Sequence, residues 1–193
     1  PLPRFSQTSI PPPPPSLLSL AGSAMQNPAL VAPRQQPVPM NGEVFVLQRG
    51  GISFSAKSGR HKFDAKGDLY LSTLRLVFVS KGSGSLEGFD LPIATLTQES
   101  FNQPIFGANN LSGVSPPLEG TGLEENIKWY LYFNNGGVGT FLPLFFRLLT
   151  EMRTRMGQPN ASPAQAFSES DTQQIVQAAF VDPNDPSKLY VSR

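Results

Sequence analysis

Between residues 126 and 156 the apolar pattern of this chain changes period. Ile127, Trp129, Leu131 and Phe133 alternate with Lys128, Tyr130 and Tyr132, a period of two that predicts a half-buried strand. Phe141, Phe145, Leu148, Leu149, Met152 and Met156 then fall on one stripe of a helix. A chain with this junction has to close a sheet with a helix. Thr140 is a usable N-cap, Pro143 suits the first turn, and Gly157 with Pro159 ends the element. Burying six such side chains contributes on the order of 9–18 kcal/mol before entropy is subtracted. The helix is therefore predicted as a lid over 141–156, with Arg147, Glu151, Arg153 and Arg155 on its other face. Asn134-Asn135-Gly136-Gly137 predicts a tight hairpin between the two elements.

Upstream, the signals are those of more sheet. Glu43 to Leu47 is a short strand candidate. Gly67 to Leu71 and Arg75 to Val79 read as two strands tightly joined through Ser72-Thr73-Leu74. The second is almost wholly apolar, which predicts a central position in its sheet. Lys81 to Ser85 is a loop, and Phe89 to Leu91 and Leu96 to Phe101 continue as strands.

The two ends differ in composition from the middle. Residues 1–42 hold 11 of the 20 prolines, two charges (Arg4 and Arg34) and no acid. Such a segment buries too little surface to offset its ordering entropy, so it is predicted to be disordered, with Pro11 to Pro15 as polyproline II. It reads as a spacer, or as a ligand for a proline-binding module. Met25 is a plausible translation start. Residues 43–157 form the predicted folded domain, and 158–193 a tail. In that tail Ser170 and Gln173 suggest a capping box for a short helix near 171–180, stopped by Asp182-Pro183-Asn184-Asp185-Pro186.

The residue inventory argues against catalysis. With no cysteine and one histidine, thiol nucleophiles, disulfides, Cys-ligated metals and multi-histidine metal sites are excluded. His61 has Asp64 nearby but no nucleophile-elbow sequence to serve. Gly82-Ser83-Gly84-Ser85-Leu86-Glu87-Gly88 begins like a phosphate-cradling loop. It lacks both the third glycine of a dinucleotide site and the Lys-Ser/Thr of a P-loop, and reads as a hairpin connection. Glu124-Glu125 reads as a solvated loop. No catalytic residue, metal or cofactor is expected. The longest apolar run, Phe141 to Phe146, is far short of a membrane-spanning helix. Leu17 to Ala21 is too short for a secretory signal, so the triplets at Asn110 and Asn160 carry no glycosylation expectation.

Charge order is more informative than net charge, which is +1. Residues 49–81 carry seven bases (Arg49, Lys57, Arg60, Lys62, Lys66, Arg75, Lys81) against two acids (Asp64, Asp68). Residues 87–125 carry six acids (Glu87, Asp90, Glu99, Glu119, Glu124, Glu125) and no base. A domain built in that order is expected to be electrically polar. Lys57, Arg60, Lys62 and Lys66 are the candidate anion-binding residues, expected in or beside a loop between the first strands. The alternative for them is a solvated face.

Several short strands followed by one amphipathic helix is the order of a pleckstrin-homology-like domain. GDLYLSTLRLVFVS at 67–80 resembles the signature of GRAM domains, a variant of that fold. FNQPIFGANNLSG at 101–113 and NNGGVGTFLPLFFRLL at 134–149 resemble the WW domain-binding protein 2 family, most closely its plant and algal members. NPALVAPRQQPVPMNGE at 27–43 and QAAFVDPNDPSKLYV at 177–191 resemble the ends of those proteins. The resemblance covers about 25–191. It implies a mainly β GRAM-type sandwich or partial barrel capped by one C-terminal helix, and a non-enzymatic adaptor. By family the adaptor would be a transcription coactivator associated with chromatin, in nucleus and cytoplasm. The alternative it implies is a phosphoinositide- or membrane-binding module. Animal members meet WW domains through Pro-Pro-x-Tyr. Here Pro116-Pro117-Leu118 is followed by Glu119, and no other match occurs in these residues. A stress-related enzyme has no residues to support it.

Overall fold

The computed structural model describes residues 26–31, 35–117, 121–157, 179–181 and 189–191. Two short strands, β1 (Leu30–Val31) and β2 (Gln36–Pro37), precede seven longer ones. These are β3 (Phe45–Ser58), β4 (His61–Ser72), β5 (Arg75–Ser80), β6 (Gly88–Pro92), β7 (Thr97–Asn102), β8 (Asn110–Ser115) and β9 (Ile127–Phe133). The helix α1 (Val138–Met156) follows, then β10 (Ala179–Val181) paired with β11 (Leu189–Val191). The seven strands form one antiparallel sheet in the order β6-β5-β4-β3-β9-β8-β7. It curls into a half-barrel, and α1 lies in its mouth. Of the two expected forms, sandwich or partial barrel, the partial barrel closed by one C-terminal helix is the one observed.

The core is the concave side. Alternate residues of β3 (Ile52, Phe54, Ala56) and β9 (Ile127, Trp129, Leu131, Phe133) are buried there. Phe54 packs on Phe78 and Phe89 with ring centroids 4.9 Å away in each case. From the helix come Val138, Phe141, Leu144, Phe145, Leu148, Leu149 and Met152, all buried. Met156 does not join them and is 48% exposed. Phe133 and Phe141, at 5.1 Å, seal the junction between the two periods.

That junction is not the hairpin expected from its glycines. Asn134 to Gly137 turns the chain directly from β9 into α1, with φ of 72° at Gly136 and 82° at Gly137. Gly137, not Thr140, is the N-cap. Thr140 lies inside the first turn, where its hydroxyl donates to the Gly137 carbonyl at 3.0 Å. A Cβ on Gly137 would run into the guanidinium of Arg49, which donates to Thr140 Oγ1 at 3.2 Å. Because the helix starts at Val138, Pro143 sits beyond its first turn, and its missing N–H faces the carbonyl of exposed Gly139.

The first strand runs far beyond the expected Glu43–Leu47. Its 14 residues bend at Gly50-Gly51, where the β3–β4 register shifts and Gly51 has φ 71°. The bend lets one strand pair β4 along its whole length and β9 over Ile52–Lys57.

Residues 26–31 and 35–42 depart from the expected disordered segment. They dock along the sheet as a strap. The Asn27 amide donates to the Gly88 carbonyl at 2.8 Å, Gln26 bridges Phe89, and Pro28 and Pro37 are buried. Leu30 packs with Phe45 over Tyr70, Val77 and Val79, on the convex side of β4 and β5. This explains the apolar run Leu76–Val79 of β5. It lies one strand from the sheet edge, and both its faces are buried because the strap covers the outer one. A buried ion cluster fixes the end of the strap. Arg75 meets Glu43 at 2.8 Å and Asp90 at 2.6 Å, and donates to the Val38 carbonyl at 2.7 Å. Ser72 Oγ donates to Glu43 at 2.6 Å. Most of the short helix expected near 171–180 lies outside the described residues, but Ala179 and Phe180 belong to β10. No helix among the described residues is long and apolar enough to cross a membrane.

Candidate functional site

Two of the four candidate bases border a cleft of about 490 Å³ beside β4. β5 pairs with β4 only from Gly67 onward, so the hairpin end of β4 stands free on that side. The connection between β5 and β6, residues 81–87, folds across the gap. Lys62 and Lys66 line the cleft from β4, and Lys81, Gly82, Gly84 and Ser85 line it from the connection. The Gly-Ser run is the hairpin connection expected, placed opposite two lysines.

Asn27 holds this loop from the strap. Its side-chain oxygen accepts from the Glu87 amide at 2.8 Å, and its amide nitrogen donates to the Ser85 carbonyl at 3.2 Å. Asp64 and Asp68 temper the positive charge. Lys62 pairs with Asp64 at 2.9 Å, and Lys81 with Asp68 at 2.7 Å. The hydrogen bond to Lys62 is the main cause that lowers the Asp64 pKa below its ordinary value; the same bond raises that of Lys62. Three ammonium groups around an open cleft, two of them also paired with carboxylates, can hold a phosphate or another compact anion.

The bases were expected in or beside a loop between the first strands, and the structure puts Arg60 in the turn, Lys57 and Lys62 on the strands just beside it, and Lys66 farther along β4. The turn joining β3 and β4 holds only Gly59 and Arg60. Lys57, Lys62 and Lys66 stand on the strands, exposed on the convex face. Lys57 and Arg60 do not line the cleft. Lys81 does, although it was not among the four candidates; its place across from β4 depends on strand pairing that the linear order does not display.

The expected charge separation is also smaller than the counts suggest. Arg49 and Arg75 are buried, Arg75 is joined to Asp90, and Glu99 is held by Arg153 of α1 at 2.8 Å. His61 is exposed at the hairpin end, and Glu125 reaches the same turn, where its carbonyl accepts from Ser58 Oγ at 2.7 Å.

No family model matches the chain. A UPF0664 stress-induced protein of Schizosaccharomyces pombe is 36% identical over 85 residues, which are 44% of this chain and 49% of that protein. WW domain-binding protein 2 of Mus musculus is 34% identical over 76 residues, 39% of this chain and 29% of that one. The chain is WW domain-binding protein 2-like. The postacrosomal sheath WW domain-binding protein of Macaca fascicularis is 28% identical over 114 residues, 55% of this chain and 45% of that one. The matches thus span less than half the length of these relatives. Among solved structures, the Vps36 N-terminal PH domain superposes with a TM-score of 0.53 at 14% identity, covering 67% of this chain and 96% of that domain. That likeness shows the fold: the half-barrel and helix of this WW domain-binding protein 2-like chain are pleckstrin-homology-like.

Proposed function

We propose that this chain is a non-enzymatic adaptor of GRAM type that acts as a transcription coactivator with chromatin-associated protein partners, in the nucleus and cytoplasm. The supporting observation is its similarity to relatives named for binding a protein domain. The mode of binding has to differ from a Pro-Pro-x-Tyr ligand, since these residues contain none. Titration into a WW domain selective for that motif is expected to give no saturable signal. Micromolar binding that survives deletion of residues 1–42 would contradict this. Affinity purification from native nuclei, with each recovered partner retested as a purified protein, checks the adaptor role; partners confined to metabolic enzymes would count against it.

A second reading is supported by the cleft of Lys62, Lys66 and Lys81: recruitment to anionic lipid headgroups. Each base near an anionic membrane is worth about 1 kcal/mol, so three give an affinity weaker than about 1 mM. Pelleting with phosphatidylserine or phosphoinositide vesicles is expected at low salt and to fade near physiological salt, where the Debye length is about 8 Å. Lys62→Glu with Lys66→Glu is expected to abolish it. Unchanged pelleting in that variant would remove the reading.

A further inference from the structure

The strand register assembles a feature on the convex face that the linear order hides. Lys62 of β4 stands opposite Lys57 of β3, and Lys57 stands opposite Lys128 of β9. All three are exposed. Neighbouring strands lie about 4.8 Å apart, so three ammonium groups are rooted in one row about 10 Å long. Like charges directly opposite one another destabilise a sheet, and Lys57 has one on each side. Asp64 compensates Lys62; among the described residues, no ion pair forms at Lys57 or Lys128.

Beyond this row, on the same face of β9, come Tyr130 and Tyr132. Their rings are 6.2 Å apart and 17° from parallel, and Tyr130 is 39% exposed. Their cross-strand neighbours are short and polar: Ser55 and Ser53 on β3, Ser112 and Asn110 on β8. Among the described residues, Asp64 on this face is bound to Lys62, and Glu125 reaches the Gly59 turn.

We infer that this face binds single-stranded nucleic acid, with the lysine row on the phosphates and Tyr130 and Tyr132 as the stacking platform. The row supplies repeated positive charge on one line, as a phosphodiester chain requires, and the tyrosines supply π-faces that stack on bases without regard to sequence. A duplex keeps its base faces inside the stack and cannot use the rings. An acidic peptide satisfies the lysines but leaves the paired rings without a role. The tyrosines are flanked by hydroxyls and an amide, not by the aliphatic side chains that enter a bilayer. Lys62 belongs to both the row and the cleft, whereas Lys57, Lys128 and Tyr130 do not line the cleft, so variants at those three residues separate this site from the lipid reading.

The test is fluorescence anisotropy of the full 193-residue chain with a labelled thymidine oligonucleotide of about ten nucleotides, within the span one small sheet domain covers. Saturable binding is expected at low salt, with a log–log salt slope of roughly −2 for three phosphates. Tyr130→Ala is expected to weaken it about tenfold, and Tyr130→Phe to preserve it. Lys57→Glu with Lys128→Glu is expected to abolish it, and Lys66→Glu with Lys81→Glu to leave it within about twofold of wild type. Thermal melts of each variant separate loss of the site from loss of the fold. Absence of saturable binding at low salt would overturn the inference. So would binding that needs the lysines but ignores Tyr130→Ala, which describes an ion-exchange surface. Phosphatidylserine vesicles that bind through Lys57 and Lys128 while the oligonucleotide does not would assign the face to membranes.

Discussion

Removing the Arg75 guanidinium would leave Glu43 and Asp90, both with fully buried side chains, facing each other without a counter-ion. Burial works against the Arg75 charge, but the two carboxylates outweigh it and raise the Arg75 pKa. Arg75→Leu is therefore expected to destabilise by about 3–5 kcal/mol in urea titration, with the strap released first. A loss below about 1 kcal/mol would show that the cluster does not anchor the strap. Lys57 predicts the opposite sign. Lys57→Gln relieves two like-charge contacts and is expected to gain about 0.2–1 kcal/mol, while oligonucleotide binding falls; a variant less stable than wild type refutes the repulsion argument. Asp64 gives a pH signature. Its folded pKa is depressed, so its contribution is present above the ordinary value of 3.8 and is lost as pH falls through the folded value. In Lys62→Ala, NMR titration is expected to show the Asp64 midpoint moving up toward 3.8; an unmoved midpoint would remove Lys62 as the cause.

At the scale of elements, the helix divides cleanly. Met152 is 1% exposed and Met156 is 48% exposed, although both continue the same stripe in sequence. Met152→Asp buries an unpaired charge and is expected to lose at least about 3 kcal/mol, whereas Met156→Asp is expected to stay within about 0.5 kcal/mol. Equal effects in denaturant titration would mean that the stripe is not what seats α1. The contrast also shows how much of the fold was legible. β9, α1 and the β4–β5 pair could be read because large apolar residues repeat there at a definite period. The middle of β3 and the first half of β4 could not. Serines, alanines and lysines dominate those stretches, and only pairing with β9 turns Ser53, Ser55 and Lys57 outward. Asn134 to Gly137 carries a hairpin's residues, but its positive-φ glycines serve the helix entry, where Arg49 fills the space a side chain would need. Gly67 is held more strictly. A Cβ there would strike the backbone carbonyl of Val79, so Gly67→Ala is expected to part β4 from β5 and lower the melting temperature by several degrees.

Taken as a whole, the molecule has three faces with different chemistry. The concave side is filled by α1. The convex side is covered by the strap over β4 and β5 and is open over β3 and β9, where the lysine row and tyrosines lie. The cleft sits where the strap meets the β5–β6 connection. Lys57, Arg60, Lys62 and Lys66 were legible as a basic cluster, but not as two groups, because strand register decides which charges become neighbours. Lys128 was legible as an outward strand residue but not as part of the basic group, for the same reason: it is seventy-one residues from Lys57 in sequence and directly beside it in the sheet. The strap was illegible because its proline-rich composition suggests an unfolded chain, while its attachment depends on one asparagine, two buried prolines and an arginine far along the sequence. A fragment cut at residue 43 keeps every core strand but is expected to unfold at lower urea than one beginning at residue 26; equal midpoints would make the strap dispensable.

Ile105 and Phe106, 93% and 91% exposed at the turn between β7 and β8, make that turn the natural place to divide the polypeptide. A chymotrypsin-type protease is expected to cleave after Phe106 before any site in the sheet. The β7–β8 ladder and the Asn102–Asn110 side-chain bond span the break on both sides, so the two pieces should stay associated after nicking. Expressed separately, they should find each other again, which makes this half-barrel a candidate for a split reporter reassembled from two halves.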